Sequence, residues 1–287
     1  MKTREPLRGA ALVLEGGGMR GIYTTGVLDT FLDLGYHFDY VIGVSAGASH
    51  ALSYISRQRG RARRVNVEYC TRGEYMGFRN LVRTGSYFGL DFMFRAIPER
   101  YDPYDFSSFE RNVGRYVVVV TNMITGLPEY REPLTGEGLF APVIASCSLP
   151  LVSKPVFLDG VPYLDGGIAD SLPIDRVAAD GFERMVVVRT QPKGYRKGAT
   201  GGKALYRAMY RSYPRFVETL STRNERYNAA LDRLDALEAE GRALVIAPRP
   251  QPGLDRLERD PKRLDGLYRS GLSDSASVAR RVLEFAR

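Results

Sequence analysis

The chain has 287 residues, of which 44% are hydrophobic and 26% are charged, a composition typical of one large globular domain. Its two cysteines, Cys70 and Cys147, lie far apart without a metal-like spacing, so they indicate neither a disulfide framework nor a zinc site. No window approaches the roughly 18 apolar residues that a membrane-spanning helix needs, and the polar N-terminus is not typical of a signal peptide. We therefore expect a cytoplasmic protein, and peripheral contact with a membrane stays open.

A strand, a glycine-rich loop and a helix open the chain. The apolar stretch Ala10 to Glu15 predicts a short buried strand, and Ile22 to Leu34 predicts a helix. Between them lies the loop Gly16-Gly17-Gly18-Met19-Arg20-Gly21. A second strand is predicted over Val41 to Val44 and a helix from Ala46 to about Arg57. Such a unit places its two strands side by side and parallel, so the loops that follow them meet at one edge of the sheet.

The second strand ends in Gly43-Val44-Ser45-Ala46-Gly47, which has the Gly-x-Ser-x-Gly pattern of a nucleophile elbow. At such a turn the serine side chain points out of the sheet, while Gly43 and Gly47 let neighbouring backbone pass closely. The N–H of Ala46 lies at the start of a helix, where free amides stabilise a developing negative charge. The pattern therefore predicts acyl chemistry at Ser45.

The middle of the chain contains an irregular aromatic segment. Residues Glu74 to Arg100 mix aromatic residues and methionines with arginines and show no clean period. We consider two interpretations equally: a lid or acyl-chain wall beside the site, or a packing layer of the core.

Later segments complete an α/β pattern. Buried strands are predicted at the following positions: Arg115 to Thr121, Pro155 to Leu158, Val161 to Leu164, Arg184 to Arg189 and Ala243 to Ala247. The dipeptide Asp159-Gly160 predicts a hairpin turn. A short helix or an apolar turn is predicted over Ala141 to Cys147. A helix with a break at Pro214 is predicted over Lys203 to Gly241, and one or two helices over Leu264 to Ala286.

A histidine base for Ser45 is excluded by chain order. In the α/β-hydrolase arrangement the histidine follows the serine and the acid, and no histidine follows His50. His50 lies on the helix of Ser45, about 500° further round and directed away from it, so we interpret it as a helix-surface or packing residue. We expect a structural role for His37 as well.

A carboxylate that is held in a turn and screened from water can take the serine proton instead. Asp165 is the best candidate, because it ends a hairpin strand and because Gly166 and Gly167 permit close backbone approach. Asp170 and Asp175 are further carboxylates that the sequence does not dismiss, whereas Asp159 is interpreted as part of a turn without a catalytic role.

The glycine-rich loop also matches the Gly-x-Gly-x-x-Gly pattern of a dinucleotide site. Such a site needs an acidic residue at the end of the second strand to bind the ribose, and that strand ends in Ser45 instead. We therefore interpret the loop as an oxyanion hole whose amides near Gly17 and Gly18 face the carbonyl oxygen of a bound ester. Arg20 would stabilise either this loop or an anionic substrate.

The formal net charge of +8 favours anionic partners such as phospholipid surfaces or nucleic acid. The densest basic stretch, Arg57 to Arg64, contains five arginines. A helix of about 11 residues, roughly 16 Å long, separates it from Ser45. We therefore expect a solvated loop at the far end of the molecule, no nucleic-acid partner, and at most transient contact with an anionic membrane surface. Nothing in the sequence indicates an oligomeric state.

Three motifs in this order resemble those of the patatin-like phospholipases: the loop Gly16 to Gly21, the elbow Gly43 to Gly47, and Asp165-Gly166-Gly167. The segment Ala141 to Pro150 is similar to the family's Ala-Ser-x-Ser-x-Pro stretch, and the tail from Arg256 onward is similar to that of a bacterial subgroup. The resemblance implies a three-layer α/β/α fold with a mainly parallel central sheet. It also implies hydrolysis of fatty acyl esters without a metal or cofactor, with Ser45 as nucleophile, Asp165 as general base and the glycine loop as oxyanion hole.

The expected substrate is an acyl lipid or phospholipid. The expected organisation is a single domain of residues 1–287, with catalytic motifs within 10–175 and a helical part, 203–287, packed on it. Two alternatives use the same site. An acyltransferase would pass the acyl group to an alcohol, and a catalytically silent protein would bind lipid or act as a scaffold.

Overall fold

The computed structural model describes residues 5–112, 114–133 and 135–287. The strands are β1 (Glu5–Leu7), β2 (Ala11–Leu14), β3 (Tyr36–Phe38), β4 (Tyr40–Val44), β5 (Arg115–Asn122), β6 (Pro128–Arg131), β7 (Val156–Leu158), β8 (Val161–Asp165), β9 (Met185–Val188) and β10 (Ala243–Ile246). The α-helices are α1 (Ile22–Leu34), α2 (Ala46–Ile55), α3 (Arg61–Val67), α4 (Phe78–Thr84), α5 (Phe106–Glu110), α6 (Ala141–Ser146), α7 (Ile174–Ala179), α8 (Lys203–Met209), α9 (Pro214–Ser221), α10 (Arg223–Ala239) and α11 (Pro261–Ala286). A π-helix spans Phe92–Tyr101.

The central sheet has the strand order β10-β9-β2-β4-β5-β8-β7, and β6 also pairs with β5. The five strands from β10 to β5 are mutually parallel. Strands β6, β7 and β8 join in antiparallel pairings. Because β2 and β4 are parallel neighbours, the glycine loop after β2 and the elbow after β4 leave the sheet at the same edge, as the sequence predicts.

Helices cover both faces of the sheet. Along β2 the side chains alternate: Leu12 and Leu14 pack with α1, α2 and α11, whereas Ala11 and Val13 pack with α7 and α10. The same alternation of buried apolar residues runs through the neighbouring strands, since successive side chains of a strand point to opposite faces. The fold is therefore the three-layer α/β/α arrangement with a mainly parallel sheet that the sequence predicts.

The predicted element positions agree closely with the structure where the pattern is strong. Helix α1 has the predicted bounds, and the hairpin turns through Asp159 and Gly160, both with positive φ. The helical segment after residue 203 divides at Pro214, which begins α9 because a proline is tolerated in the first turn of a helix. The closing segment is one helix, α11.

The prediction of a solvated loop at 57–64 is wrong for its second half, because α3 begins at Arg61. Arg61 is buried, and it shares the carboxylate of Asp102 with Arg64. Arg63 pairs with Asp265. These carboxylates come from distant parts of the chain. The local density of arginines therefore suggested a basic surface, although the folded protein neutralises these arginines with ion pairs.

In the described ranges, no helix combines the length and apolar character that crossing a bilayer requires.

Candidate active site

Ser45 lies at the tight turn between β4 and α2. Its backbone has φ 53° and ψ −123°, a conformation that L-residues rarely adopt and that persists only where the surroundings enforce it. A Cβ atom on Gly47 would lie 2.4 Å from the Leu14 carbonyl oxygen, and one on Gly43 would lie 2.6 Å from Ala48 Cα. The two glycines of the elbow are thus required by close backbone packing, and the turn directs Ser45 towards the edge of the sheet.

The hydroxyl of Ser146 stabilises the elbow through a hydrogen bond to its backbone. The backbone N–H of Ser45 donates to Ser146 Oγ at 2.8 Å, and this hydroxyl donates to the Val119 carbonyl at 2.6 Å. Ser146 is fully buried, so neither bond competes with water. The sequence indicated the surrounding Ala-Ser-x-Ser-x-Pro segment but not this contact.

Asp165 ends β8 and is 4% exposed. Its N–H donates to the Ser148 carbonyl at 2.8 Å, and its Oδ1 accepts the N–H of Gly167 at 2.7 Å. The next glycine position, Gly166, is tightly packed, since a Cβ there would lie 2.1 Å from the Val119 carbonyl oxygen. The segment that carries Ser146 and Ser148 therefore binds the backbone of both Ser45 and Asp165.

The carboxyl of Asp165 shares a pocket with Ser45. Burial raises the pKa of Asp165, and interactions with the Ser45 hydroxyl, with Arg223 and with the Gly167 amide oppose this increase in part. A raised pKa makes the carboxylate a stronger base than an exposed aspartate.

Asp159, Asp170 and Asp175 lie elsewhere. Asp159 is in the exposed hairpin turn, with 88% of its side chain accessible. Asp170 accepts a hydrogen bond from the Tyr130 hydroxyl at 2.8 Å, and Asp175 pairs with Arg233 on the surface. Of these carboxylates, only Asp165 lines the pocket of Ser45.

The glycine loop packs directly against the elbow. A Cβ on Gly16 would lie 3.0 Å from Ser45 Cβ, and one on Gly21 would lie 2.8 Å from Ala46 Cβ. Over the described residues, the amides of Gly17 and Gly18 donate no hydrogen bond to the protein, and the N–H of Ala46 belongs to the open first turn of α2. The loop that packs against Ser45 and the start of its helix thus contain free backbone donors.

Neither His37 nor His50 is suited to act as the base for Ser45. His50 is 3% exposed and neutral, because burial lowers its pKa to about 4, and its Nε2 lies 3.2 Å from Asn66 Nδ2. It is a packing residue, as predicted, but it does not point to the helix surface: it lines an apolar cavity that also reaches Ser45. His37 is buried on β3.

Two cavities meet at Ser45, and Gly18 and Leu149 line both of them. The first, here called the basic pocket, also contains Glu15, Arg20, Asp165, Lys197, Arg223, Tyr227 and Arg256. The second, here called the apolar cavity, also contains Met19, Ala46, His50, Tyr75, Phe88, Leu90, Met93 and Cys147. A group bound at Ser45 therefore adjoins an apolar lining in the apolar cavity and a charged lining in the basic pocket.

The irregular segment 74–100 forms part of the wall of the apolar cavity, through Tyr75, Phe88, Leu90 and Met93. The same four side chains belong to or pack against the main core. The segment therefore has both of the roles that the sequence left open, as cavity wall and as packing layer. Movement as a lid stays a prediction.

In the part of the chain that the structure describes, no cluster of three or more His, Cys, Asp and Glu side chains is placed to bind a metal. Cys70 and Cys147 are free thiols. Burial raises the pKa of Cys147, so the thiol beside Ser45 is protonated and is a poor nucleophile.

Comparison with known proteins agrees with this geometry. The sequence model of the patatin-like phospholipases matches residues 12–178, and that of a domain of unknown function, DUF6363, matches residues 213–287. The uncharacterized protein YjjU of Escherichia coli (strain K12) is 35% identical over 187 residues, which are 63% of this chain and 52% of that protein. The chain thus spans about half the length of this curated relative.

Among solved structures, VipD from Legionella pneumophila superposes on 96% of this chain and 67% of its own, at 15% identity and a TM-score of 0.45. The family match covers more than half of the chain and contains the loop, the elbow and Asp165. The chain belongs to the patatin-like phospholipase family.

Proposed function

We propose that the protein is a serine acyl-ester hydrolase of lipids, in which Ser45 and Asp165 form a catalytic dyad. The observation that carries the proposal is the pocket itself, in which a strained serine and a buried carboxylate of raised pKa lie beside unpaired backbone amides. The family match supports the same class of reaction.

The reaction begins when Asp165 takes the proton of Ser45 as Oγ bonds to the ester carbonyl carbon. The carbonyl oxygen becomes an oxyanion, which the amides of Gly17, Gly18 and Ala46 stabilise. When the tetrahedral intermediate collapses, the carbon–oxygen bond to the alcohol breaks, and the alcohol leaves with the proton from Asp165. A water molecule, deprotonated by Asp165, then cleaves the acyl-enzyme, and the proton returns to Ser45.

The apolar cavity supports the assignment of a lipid substrate. Its lining is mainly apolar, and it opens next to the nucleophile, where the acyl chain of a bound ester has to lie. Burial of a chain there removes apolar surface from water, which provides binding energy without a specific polar contact.

The test is covalent labelling with a fluorophosphonate, together with turnover of p-nitrophenyl acyl esters. We expect the wild type to be labelled and active, Ser45→Ala to lose both properties, and Asp165→Asn to lose turnover while remaining folded by circular dichroism. Wild-type turnover in either variant would contradict the dyad. Product analysis by mass spectrometry with an added alcohol distinguishes hydrolysis from acyl transfer.

A further inference from the structure

The basic pocket contains cations that form no ion pair. Over the described residues, none of Arg20, Lys197, Arg223 and Arg256 forms an ion pair with a carboxylate. The Nε atoms of Arg20 and Arg223 are buried and have no hydrogen-bond partner. Arg20, Lys197 and Arg223 are half-buried, and Arg256 is exposed. A cation that is partly withdrawn from water and has no anionic partner is costly, so the three half-buried cations indicate that something anionic completes the pocket.

The pocket's own carboxylates do not neutralise these cations. Glu15 already accepts hydrogen bonds from the Thr190 amide at 2.7 Å and the Tyr227 hydroxyl at 2.6 Å. Asp165 is the proposed base. Four basic side chains therefore face only two acidic ones, and both acidic groups have other roles.

Backbone contacts and secondary structure fix three of the four cations, Lys197, Arg223 and Arg256. Asn228 binds both the N–H and the carbonyl of Lys197, at 2.9 and 2.8 Å, and the ammonium lies 3.7 Å from the centre of the Tyr227 ring. Arg223 is the first residue of α10. The carbonyl of Arg256 accepts the N–H of Met19 at 3.1 Å, which fixes the tail on the glycine loop.

These cations line the basic pocket, which meets the apolar cavity at Ser45. We propose that the basic pocket binds the phosphate of the substrate's head group, so that the protein prefers acyl esters with an anionic phosphate head group over zwitterionic and neutral ones. Guanidinium groups bind phosphate oxygens through paired charged hydrogen bonds, whereas the ammonium of a zwitterionic head group would lie among like charges. This inference rests on the proposed hydrolase function.

Three of the four cations, all except Arg20, lie outside the segment that matches the patatin-like family. Lys197 follows it, and Arg223 and Arg256 belong to the DUF6363 match. The C-terminal part of the chain would thus select the head group at a catalytic site that the N-terminal part builds.

The test compares dihexanoyl phosphatidylglycerol with dihexanoyl phosphatidylcholine, both below their critical micelle concentrations so that no charged surface forms. The readout is the ratio of the two kcat/KM values. We expect the wild type to prefer the anionic lipid about tenfold or more, and Arg223→Gln or Lys197→Met to bring the ratio close to one. Arg207→Gln removes the same charge from the exposed surface of α8 and should leave the ratio unchanged.

A second experiment distinguishes a pocket for a lipid head group from a pocket for free phosphate. Calorimetry with inorganic phosphate measures binding to the wild type and to Arg223→Gln without any turnover. Phosphate binding that Arg223→Gln abolishes, together with the lipid preference, supports the proposal. Phosphate binding without a lipid preference would assign the pocket to a free anion and overturn it.

Two further outcomes distinguish the proposals from each other. Turnover with no preference between the lipids overturns the head-group assignment and leaves the hydrolase intact. Failure of fluorophosphonate labelling and of all ester turnover overturns the hydrolase proposal and with it the head-group assignment, whatever phosphate binding shows.

Discussion

The hydroxyl of Ser146 accepts the backbone N–H of Ser45 at 2.8 Å, across 101 residues of sequence. Because the same hydroxyl donates to the Val119 carbonyl, it joins the elbow to the central strand β5. The strained backbone of the nucleophile is thus stabilised by a buried contact from the segment that also binds Asp165.

Replacement of Ser146 by alanine should therefore affect both stability and catalysis. Ser146→Ala leaves a buried N–H and a buried carbonyl without this partner, which should cost about 1–3 kcal/mol of unfolding free energy. We expect kcat to decrease together with stability, because the elbow relaxes. Urea unfolding and ester kinetics measure the two effects.

Ser148→Ala is the matched control for this prediction. The Ser148 hydroxyl is also buried, but it donates only to the Ile144 carbonyl within the preceding turn. We expect a smaller loss in both measurements. An equal loss in both variants would show that the contact with Ser45 has no special importance.

The rate should depend on the ionisation of Asp165. Because burial raises its pKa, the carboxylate becomes deprotonated at a higher pH than an exposed aspartate does. The base form is the active one, so kcat/KM should increase with pH through an apparent pKa above the usual value of about 3.9. A profile of p-nitrophenyl ester hydrolysis between pH 4 and 8 measures it, and a flat profile down to pH 4 would contradict the assignment.

The same shift predicts the effect of Asp165 on stability. A folded-state pKa above the unfolded value contributes stability at low pH that is lost as the pH rises through the folded pKa. At neutral pH the buried carboxylate is therefore unfavourable for folding. Asp165→Asn should be inactive yet unfold at the same temperature as the wild type or higher, as thermal denaturation can show.

Gly18 should tolerate no side chain. Its φ is +57°, and a Cβ there would lie 2.5 Å from the backbone carbonyl oxygen of Arg256. Gly18→Ala should therefore displace either the loop amides or the tail and decrease kcat/KM by about tenfold or more, equivalent to 1.4 kcal/mol or more. Gly160→Ala is the control, since it also has a positive φ but faces open space, and it should retain activity.

Selection of anionic lipids should weaken with increasing pH. Burial and the neighbouring Arg223 and Arg256 lower the pKa of Lys197 to about 7, while Glu15 and Asp165 oppose them. Only the ammonium form of Lys197 binds an anion, so the preference for phosphatidylglycerol should decrease as the pH rises through this pKa. The bound phosphate stabilises the ammonium and therefore moves the transition to a higher pH. Phosphatidylglycerol is a diester whose charge does not change in this range. A Lys197→Met variant should have a lower preference and no such pH dependence.

Much of the fold could be predicted from local patterns. The runs of apolar residues predicted the strands β2, β4, β5 and β9, and the proline at 214 predicted a helix boundary. These features depend only on residues that are close in the sequence, so they can be recognised from the sequence alone. The basic stretch from Arg57 was misinterpreted because its partners, such as Asp102 and Asp265, come from remote segments.

The sequence by itself determined the Gly-x-Ser-x-Gly elbow at Ser45 and, through the order of its histidines, the need for another base. The sequence also favoured Asp165 as that base. Only the tertiary structure showed that Asp165 lines the same pocket as Ser45, that Ser146 supports the elbow, and that Lys197, Arg223 and Arg256 line this pocket without an ion pair. The physical reason is that pairing and burial are properties of distant residues brought together, whereas turn chemistry is local. Among 41 lysines and arginines, nothing local distinguishes those that line this pocket without an ion pair.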